Sequence, residues 1–176
     1  MGAGSNVRWP ILGASAGRRP GTLARPVAFV AMAPDHPFDV DAFLARPLVA
    51  RVAAAGPSVR PVWFLWEDGA FWWITGAYAR LPEILARDPR LALIVDSCDL
   101  RTGEVRQVSA RGDGAVVPFN PERALRKLAR YLGPDESRWD VRFSVRYLTE
   151  PDQKTRLVRL APQRLTARDL SFSVRG

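Results

Sequence analysis

Residues 59–80 read VRPVWFLWEDGAFWWITGAYAR, and they carry the clearest indication of the fold in this chain. Two apolar runs, each carrying two tryptophans, are separated by Glu-Asp-Gly at 67–69. An Asp-Gly pair between two β-rich runs predicts a hairpin. The second run ends at Thr75, and Arg80 follows, so a hydroxyl and a guanidinium lie where a sheet rim can offer them to a phosphate. The stretch therefore predicts a barrel that holds a flat, phosphorylated ligand.

Length and composition restrict the class of protein. The chain has 176 residues, 47% of them hydrophobic, which is enough for one domain with a sizeable core. Cys98 is the only cysteine and His36 the only histidine, so a disulfide framework and histidine- or cysteine-rich metal sites are not expected. We therefore predict no metal site and a reduced, cytoplasmic setting. No apolar run is long enough to cross a bilayer, and no membrane association is expected.

The net charge of +8 raises the question of nucleic-acid binding. Nucleic-acid binding requires a clustered basic face, but four of the arginines (Arg8, Arg18, Arg19 and Arg25) lie in an acid-free leader, and the rest of the chain carries 22 basic residues against 18 acidic ones. Lys127 and Lys154 are the only lysines, and arginine makes up the rest. We expect a small-molecule partner and no nucleic acid.

The first 35 residues differ from the rest of the chain. They are rich in Gly, Ala, Ser, Pro and Arg without a sustained apolar period, so residues 1–35 are predicted to be a disordered or poorly ordered extension. Residues 36–176 are predicted to form the folded domain. Translation could start at Met1 or at Met32, because sequence of ordered character begins just after Met32. A chain that begins at Met32 is expected to keep its fold.

The pattern along residues 36–176 predicts short strands with a few helices. The predicted elements are helices at 39–44, 79–87 and 121–132, and strands at 48–54, 59–66, 70–75, 91–97, 104–117 and 154–160. Residues 140–148 are ambiguous between helix and strand. Gly112 and Gly114 predict a bulge or bend in the long strand. The fold class is mainly β, an antiparallel barrel with helices packed on it.

The sequence offers no catalytic side-chain constellation. A Ser-His or Cys-His pair needs an imidazole in the core, whereas His36 lies at the edge of the extension. No glycine-rich phosphate loop of the P-loop or dinucleotide type occurs. The catalytic residues stay unknown, and any catalysis is expected to belong to a bound cofactor.

Taken together, these motifs resemble the pyridoxamine 5'-phosphate oxidase-like family of flavin-binding split barrels, which includes enzymes that use the deazaflavin F420. Residues 60–65, RPVWFL, look like the family's strand that begins with arginine and runs along the flavin edge. Ile74 and Thr75 resemble the pair that ends its next strand. Arg80 falls where the family places a phosphate-binding arginine.

A second group of motifs extends the resemblance over about residues 39–165. Residues 106–112, RQVSARG, resemble the family's Arg-Gln-Val strand, whose glutamine, here Gln107, faces the flavin ring. Asp-Pro-Arg at 88–90 is also typical of the family.

The resemblance implies an antiparallel split β-barrel with peripheral helices that binds flavin mononucleotide (FMN) and forms a homodimer. The implied function is an FMN-dependent oxidoreductase acting on an unidentified small organic substrate. The alternatives are an F420-dependent reductase on the same fold and a non-catalytic protein that binds flavin or haem. The implied cofactor-binding residues are Arg60, Val62, Trp63, Ile74, Thr75, Arg80 and Gln107.

Departures from the family pattern concern the substrate. The pyridoxal-forming enzymes carry a lysine where this chain has Leu65, and a second basic residue where it has Leu81. Their C-terminal substrate segment, rich in Trp, Arg and His, has no match at residues 165–176. We therefore expect a flavin site without pyridoxamine phosphate oxidase activity.

The chemistry of the implied residues agrees with this reading. Arg60, Arg80 and the Thr75 hydroxyl could each contribute roughly 1.5 to 3 kcal/mol to binding a phosphate dianion. Gln107 offers both a donor and an acceptor to a pyrimidine-like ring edge. Trp72 and Trp73 are neighbours on one strand and face opposite sides, so one of the two indoles is predicted to need a cover from a second copy of the chain.

Overall fold

A computed structural model of the chain describes residues 36–56, 58–144 and 153–174. The predicted extension at 1–35, and with it the choice between Met1 and Met32, lies outside these residues. The helices are α1 (Val40–Leu44), α2 (Leu81–Arg87), α3 (Pro121–Leu132) and α4 (Val141–Ser144), with a 3-10 turn at Glu136–Arg138. The strands are β1 (Val49–Ala54), β2 (Ser58–Trp63), β3 (Leu65–Glu67), β4 (Ala70–Thr75), β5 (Arg90–Asp99), β6 (Glu104–Pro118), β7 (Arg156–Leu160) and β8 (Arg164–Asp169).

All the strand pairs are antiparallel, which confirms the predicted fold class. The order across the sheet is β2-β1-β5-β6-β7-β4-β3, and β8 pairs with β6. The long strand β6 serves two parts of the sheet, since residues 104–113 pair with β5 and residues 114–118 pair with β7. We call β2, β1, β5, β8 and the first part of β6 the first half-sheet. The second half-sheet is the rest of β6 with β7, β4 and β3.

The exchange of partners along β6 takes place at the two glycines for which a bend was predicted. A side chain at Gly114 would overlap Leu91, and a Cβ at Gly112 would lie 2.9 Å from the carbonyl oxygen of Ala161. Only glycine leaves room for the two half-sheets to approach this closely, so these positions are fixed by packing.

The hairpin prediction is confirmed at its turn and wrong at its first strand. Asp68 and Gly69 both have positive φ, at 55° and 65°, which is the geometry that favours Asp-Gly in a two-residue turn. The predicted strand at 59–66, however, breaks at Phe64. The part before Phe64 pairs with β1, and the part after it pairs with β4. The break is stable because the backbone N–H of Phe64 donates to the Tyr131 hydroxyl at 3.0 Å instead of to a neighbouring strand.

The prediction that a second copy must cover one of two neighbouring indoles is also wrong. Trp73 is 1% exposed in the barrel core, and Trp72 is 8% exposed on the other face of β4. Helix α3 covers Trp72, since the guanidinium of Arg123 lies 3.7 Å from the ring centroid. The Trp72 indole N–H donates to the carbonyl of Glu67 at 3.0 Å. The homodimer itself stays a prediction, but it cannot rest on these two residues.

Strand β8 was not predicted from the sequence. Its inward residues Leu165 and Ala167 pack against the core, but they alternate with exposed or half-buried polar residues and are only partly buried themselves. Residues 141–144 of the ambiguous segment are helical, and 145–152 lie outside the described ranges. None of the helices in the described ranges is long and apolar enough to span a membrane.

Candidate ligand-binding cleft

The break at Phe64 leaves an opening between two strands. Strand β4 pairs with β3 only as far as the Leu65–Trp72 pair, and β2 turns away to pair with β1. Had the hairpin register continued, Trp63 would lie opposite Ile74. Instead, the outer edge of β2 and the edge of β4 at residues 73–75 are not paired with each other. We call the opening between these two edges the cleft, and its backbone N–H and C=O groups require partners.

Three of the predicted site residues point to the interior side of the barrel. Arg60 lies opposite Val52 and Val62 lies opposite Ala50, and both of these β1 residues are buried in the core. Paired residues share a face of the sheet, so Arg60 and Val62 face the interior. Thr75 lies two residues after the core residue Trp73 and therefore shares its face.

Thr75 carries a buried hydroxyl without a hydrogen-bond partner among the described residues. The residue is 2% exposed, and its Oγ1 is fully shielded. The indole nitrogen of Trp73, on the same face of β4, is likewise buried and unpartnered within the described ranges. A buried hydroxyl left without a partner costs about 1 to 3 kcal/mol. This face of β4 therefore suits a polar group of a ligand.

Neither of the two predicted arginines has a carboxylate partner in the part that the structure describes. Arg60 is half-buried and contacts the hydroxyl of Ser58. Arg80 is exposed just before α2, after a turn closed by the Ala79 N–H and the Gly76 carbonyl at 3.0 Å. Eight other arginines pair with aspartate or glutamate: Arg46, Arg51, Arg90, Arg101, Arg106, Arg123, Arg126 and Arg142.

Trp63 and Ile74 point away from the interior side. The Trp63 ring stacks on Tyr131, with centroids 4.8 Å apart and planes 2° from parallel, and it also stacks on Phe143. Ile74 packs into a second apolar cluster with Trp72. Backbone atoms are the parts of Trp63 and Ile74 that border the cleft.

Gln107 is not brought next to the other predicted residues. It lies in β6 opposite Asp96 of β5 and Arg168 of β8, on the outer face of the first half-sheet. Strand β6 is three strands away from β2, which amounts to roughly 14 Å at the usual spacing between strands. Within one chain, Gln107 and the Arg60 side of the cleft are therefore well separated.

Two residues that sequence reasoning missed hold the cleft open from α3. The Tyr131 hydroxyl accepts from the Phe64 N–H and donates to the Leu48 carbonyl at 2.6 Å, and burial raises the pKa of Tyr131. The Arg130 guanidinium donates to the carbonyls of Leu44, Arg46 and Phe64, and burial lowers the pKa of Arg130. The sequence shows only that these two residues belong to an amphipathic helix. It does not show their roles, because the groups they bond are backbone carbonyls distant in the chain.

Lys127 is a buried cation on the same helix. It is 7% exposed, and its Nζ lies 5.7 Å from the centroid of the Trp63 ring. Burial lowers the pKa of Lys127 to about 8, and no carboxylate of the described ranges pairs with it. Holding the charged form of Lys127 beside the Trp63 ring therefore lowers the stability of the folded protein.

Comparison with known proteins places this geometry in a family. The family described as pyridoxamine 5'-phosphate oxidase matches residues 39–169. A conserved hypothetical protein from Mycobacterium tuberculosis superposes with a TM-score of 0.59 at 23% identity, over 78% of this chain and 90% of that one. An F420 reductase superposes with a TM-score of 0.54 at 22% identity, over 74% of this chain and 98% of that one. A FAD-binding protein from Mesorhizobium loti superposes with a TM-score of 0.50 at 17% identity, over 74% of this chain and 93% of that one.

These identities establish the split-barrel fold alone. No curated protein matches the chain.

Proposed function

Because the chain belongs to the pyridoxamine 5'-phosphate oxidase family, we propose that it is an FMN-dependent oxidoreductase acting on a small organic substrate. The observation that carries the proposal is the buried hydroxyl of Thr75, which has no hydrogen-bond partner in the described ranges, together with Arg60 and Arg80, which have no carboxylate partner there. A phosphate dianion would satisfy all three groups.

The residues of the cleft fit the phosphate end of FMN. Charge-assisted bonds from Arg60 and Arg80 would neutralise the dianion, and the Thr75 hydroxyl would gain a partner that the described residues do not supply. The phosphate is expected to stay outside the core, because Val62 and the residues behind it are apolar.

The proposal assigns binding and orientation to this chain and hydride or electron transfer to FMN, when it is bound. The unpaired edges of β2 and β4 would offer backbone donors and acceptors, including those of Trp63 and Ile74, to the polar edge of a ring. Val62 and the barrel core behind it would exclude water from that edge.

A homodimer is part of the proposal. Gln107 stands roughly 14 Å from β2 of its own chain, too far to share the phosphate end of the same ligand. It could serve a ring that extends between two protomers. A cytoplasmic location is also proposed, since a reducing compartment suits the free, exposed thiol of Cys98.

Pyridoxamine phosphate is not proposed as the substrate. Leu65 packs in the second apolar cluster, and Leu81, 1% exposed, packs in the core. These apolar contacts occupy the two positions where the pyridoxal-forming enzymes carry basic groups, so those basic groups are lacking here.

The proposal is tested by the absorbance spectrum of the purified protein and by titrating FMN, riboflavin, F420 and haem against it. We expect a flavin spectrum or saturable FMN binding at one per chain, weaker binding of riboflavin, and reduction of the bound flavin by a suitable donor. Binding of F420 without FMN would support the deazaflavin alternative. A flavin- or haem-bound protein that does not turn over any oxidant would support the non-catalytic one. Failure to bind any of the four would refute the proposal.

A further inference from the structure

The outer face of the first half-sheet carries three arginines without counterions. The side chains of Arg111, Arg164 and Arg168 make no hydrogen bond or ion pair with any residue in the described ranges. Arg111 and Arg164 lie directly opposite each other on β6 and β8. Like charges at directly opposite positions destabilise a strand pair, and an anion from outside the chain would offset this repulsion.

The side chains around these arginines complete an anion site. Ser109 and Thr166 form the next opposed pair on the same face of these two strands. The three arginines and these two hydroxyl residues line a cavity of about 160 Å³. Small-molecule pockets typically measure about 300–1,000 Å³, so this cavity suits one charged group of a ligand and not the whole ligand. Its guanidinium and hydroxyl donors match a carboxylate or a phosphate group.

A larger, mainly apolar cavity adjoins the first and shares Arg111 with it. It measures about 440 Å³, within the small-molecule range, and Ala53 and Ala92 contribute to its wall. The carboxylates at its rim are occupied. Asp88 pairs with Arg90 at 2.6 Å, and Asp113 accepts from the Gln163 amide at 3.2 Å. These contacts leave Arg111 as the charged group that is free to meet a ligand between the two cavities.

We propose that this face binds an amphipathic organic anion. Its single carboxylate or phosphate group contacts Arg111, Arg164 and Arg168, and its apolar body lies over Ala53 and Ala92. The site shares no residue with the cleft. It is therefore a ligand site apart from the phosphate end of the flavin, although Arg168 lies directly opposite Gln107, which the proposed function assigns to the ring of a flavin shared between protomers.

The test is a titration followed by two-dimensional NMR of the backbone amides, with 2-naphthoate as the probe. The neutral 2-naphthamide and inorganic phosphate serve as separate arms. We expect 2-naphthoate to shift amides of β1, β5, β6 and β8, with binding at least tenfold tighter than that of 2-naphthamide. Inorganic phosphate is expected to shift the β6 and β8 amides alone, because it reaches the first cavity and lacks an apolar body.

Two variants complete the test. Arg111→Gln should weaken 2-naphthoate at least tenfold while raising the urea midpoint of the free protein at low salt, because it removes one charge of the opposed pair. Arg101→Gln removes an exposed arginine that pairs with Asp99, and it should leave 2-naphthoate binding unchanged.

The proposal is overturned if 2-naphthoate and 2-naphthamide bind equally or if the shifted amides map elsewhere. It is also overturned if Arg101→Gln weakens binding as much as Arg111→Gln does, or if no probe binds.

Discussion

Two regions of the molecule use the same side chain for opposite purposes. Where α3 lies against the hairpin, the chain supplies partners for its arginines: Arg123 and Arg126 pair with Glu67 at 2.6 and 2.8 Å, and Arg130 donates to backbone carbonyls. Arg60, at the cleft, and Arg80, exposed before α2, have no carboxylate partner in the described ranges. A guanidinium thus stabilises the fold where the chain pairs it and stays available to a ligand where the chain does not.

The groups next to these arginines show the same contrast. Two guanidinium groups hold the pKa of Glu67 below its ordinary value, mainly through the hydrogen bond from Arg126. No corresponding ion pair involves the described residues of the cleft, and the buried Thr75 hydroxyl has no hydrogen-bond partner in the described ranges. Substitutions on the α3 side should therefore change stability, while substitutions in the cleft should change ligand affinity.

The largest expected effect tests the α3 side. Arg130→Met keeps the bulk of the side chain but removes the donors to the carbonyls of Leu44, Arg46 and Phe64. We expect the free energy of unfolding to fall by about 2 to 4 kcal/mol, because buried acceptors lose their partners. Urea unfolding measures this change.

The control for that prediction is Arg126→Met. Arg126 is half-exposed in its pair with Glu67, and exposed pairs are worth about 0 to 1 kcal/mol. Equal losses in the two variants would contradict the distinction between paired carbonyls and a surface ion pair.

The next effect tests the cleft. Arg80→Ala should weaken FMN by roughly 1.5 to 3 kcal/mol, about ten- to hundredfold, because it removes a charge-assisted bond to the phosphate. Riboflavin, which lacks the phosphate, should bind as before, and the urea midpoint should be unchanged. Fluorescence-quenching titrations of both ligands measure the effect.

Arg87→Ala is the matched control for Arg80→Ala, since Arg87 is exposed at the other end of α2. Its affinity for both ligands should equal that of the unmodified protein. A loss of riboflavin as large as the loss of FMN would show that Arg80 does not contact the phosphate.

A buried lysine links the two regions and gives a pH-dependent effect. The folded-state pKa of Lys127 is about 8, below the ordinary 10.5, because burial disfavours the charged form. Between about pH 8 and 10.5 the unfolded state therefore binds more protons than the folded state, and the contribution of Lys127 to stability rises with pH in that window. Below pH 8 the full cost of burying the charge is present.

Lys127→Met removes that cost. We expect a gain of about 1 to 3 kcal/mol at pH 7, reduced by the lost contact with Trp63, and a smaller gain at pH 10. Urea unfolding of both proteins at the two pH values gives the difference directly. A gain that does not change with pH would show that Lys127 is not desolvated.

The smallest expected effect combines a gain in the stability of the free protein with a loss of FMN affinity. Thr75→Val replaces the unpartnered hydroxyl by a methyl group of similar size, so the free protein should gain up to about 1 kcal/mol in stability. FMN affinity should fall about fivefold, because the phosphate loses a neutral donor. Thermal unfolding with and without FMN measures both. A loss of stability in the free protein would mean that the hydroxyl has a partner within the fold.

Local chemistry made several elements predictable. The Asp-Gly turn, the cap of α3 by Asn120 and the glycines at the change of partner along β6 each depend on what one residue type permits. Strand β8 could not be predicted in the same way, because Leu165 and Ala167 are half-buried and their stretch lacks the apolar run that marks a strand. A strand whose stability comes from its neighbour leaves little trace in its own residues.

Some features of the candidate site could likewise be predicted from the sequence, and others could not. Position and residue type pointed to Arg60, Thr75 and Arg80 from the sequence, and the structure orients Arg60 and Thr75 toward one side of the barrel. Neither the outward packing of Trp63 nor the separation of Gln107 could be read from the chain, because both depend on which strands pair across the sheet.

Periodicity, the allowed backbone angles of single residues and the short motifs made most of the strands, the turn and the family predictable from the sequence, although β8 and the break at Phe64 were not. Tertiary structure alone decided where the hairpin strand breaks and which arginines find partners. The break at Phe64 exists because Tyr131, distant in the chain, satisfies its backbone. An arginine is free or paired according to which carboxylates and carbonyls the fold brings within hydrogen-bonding distance, and that is a property of the folded chain rather than of any one segment.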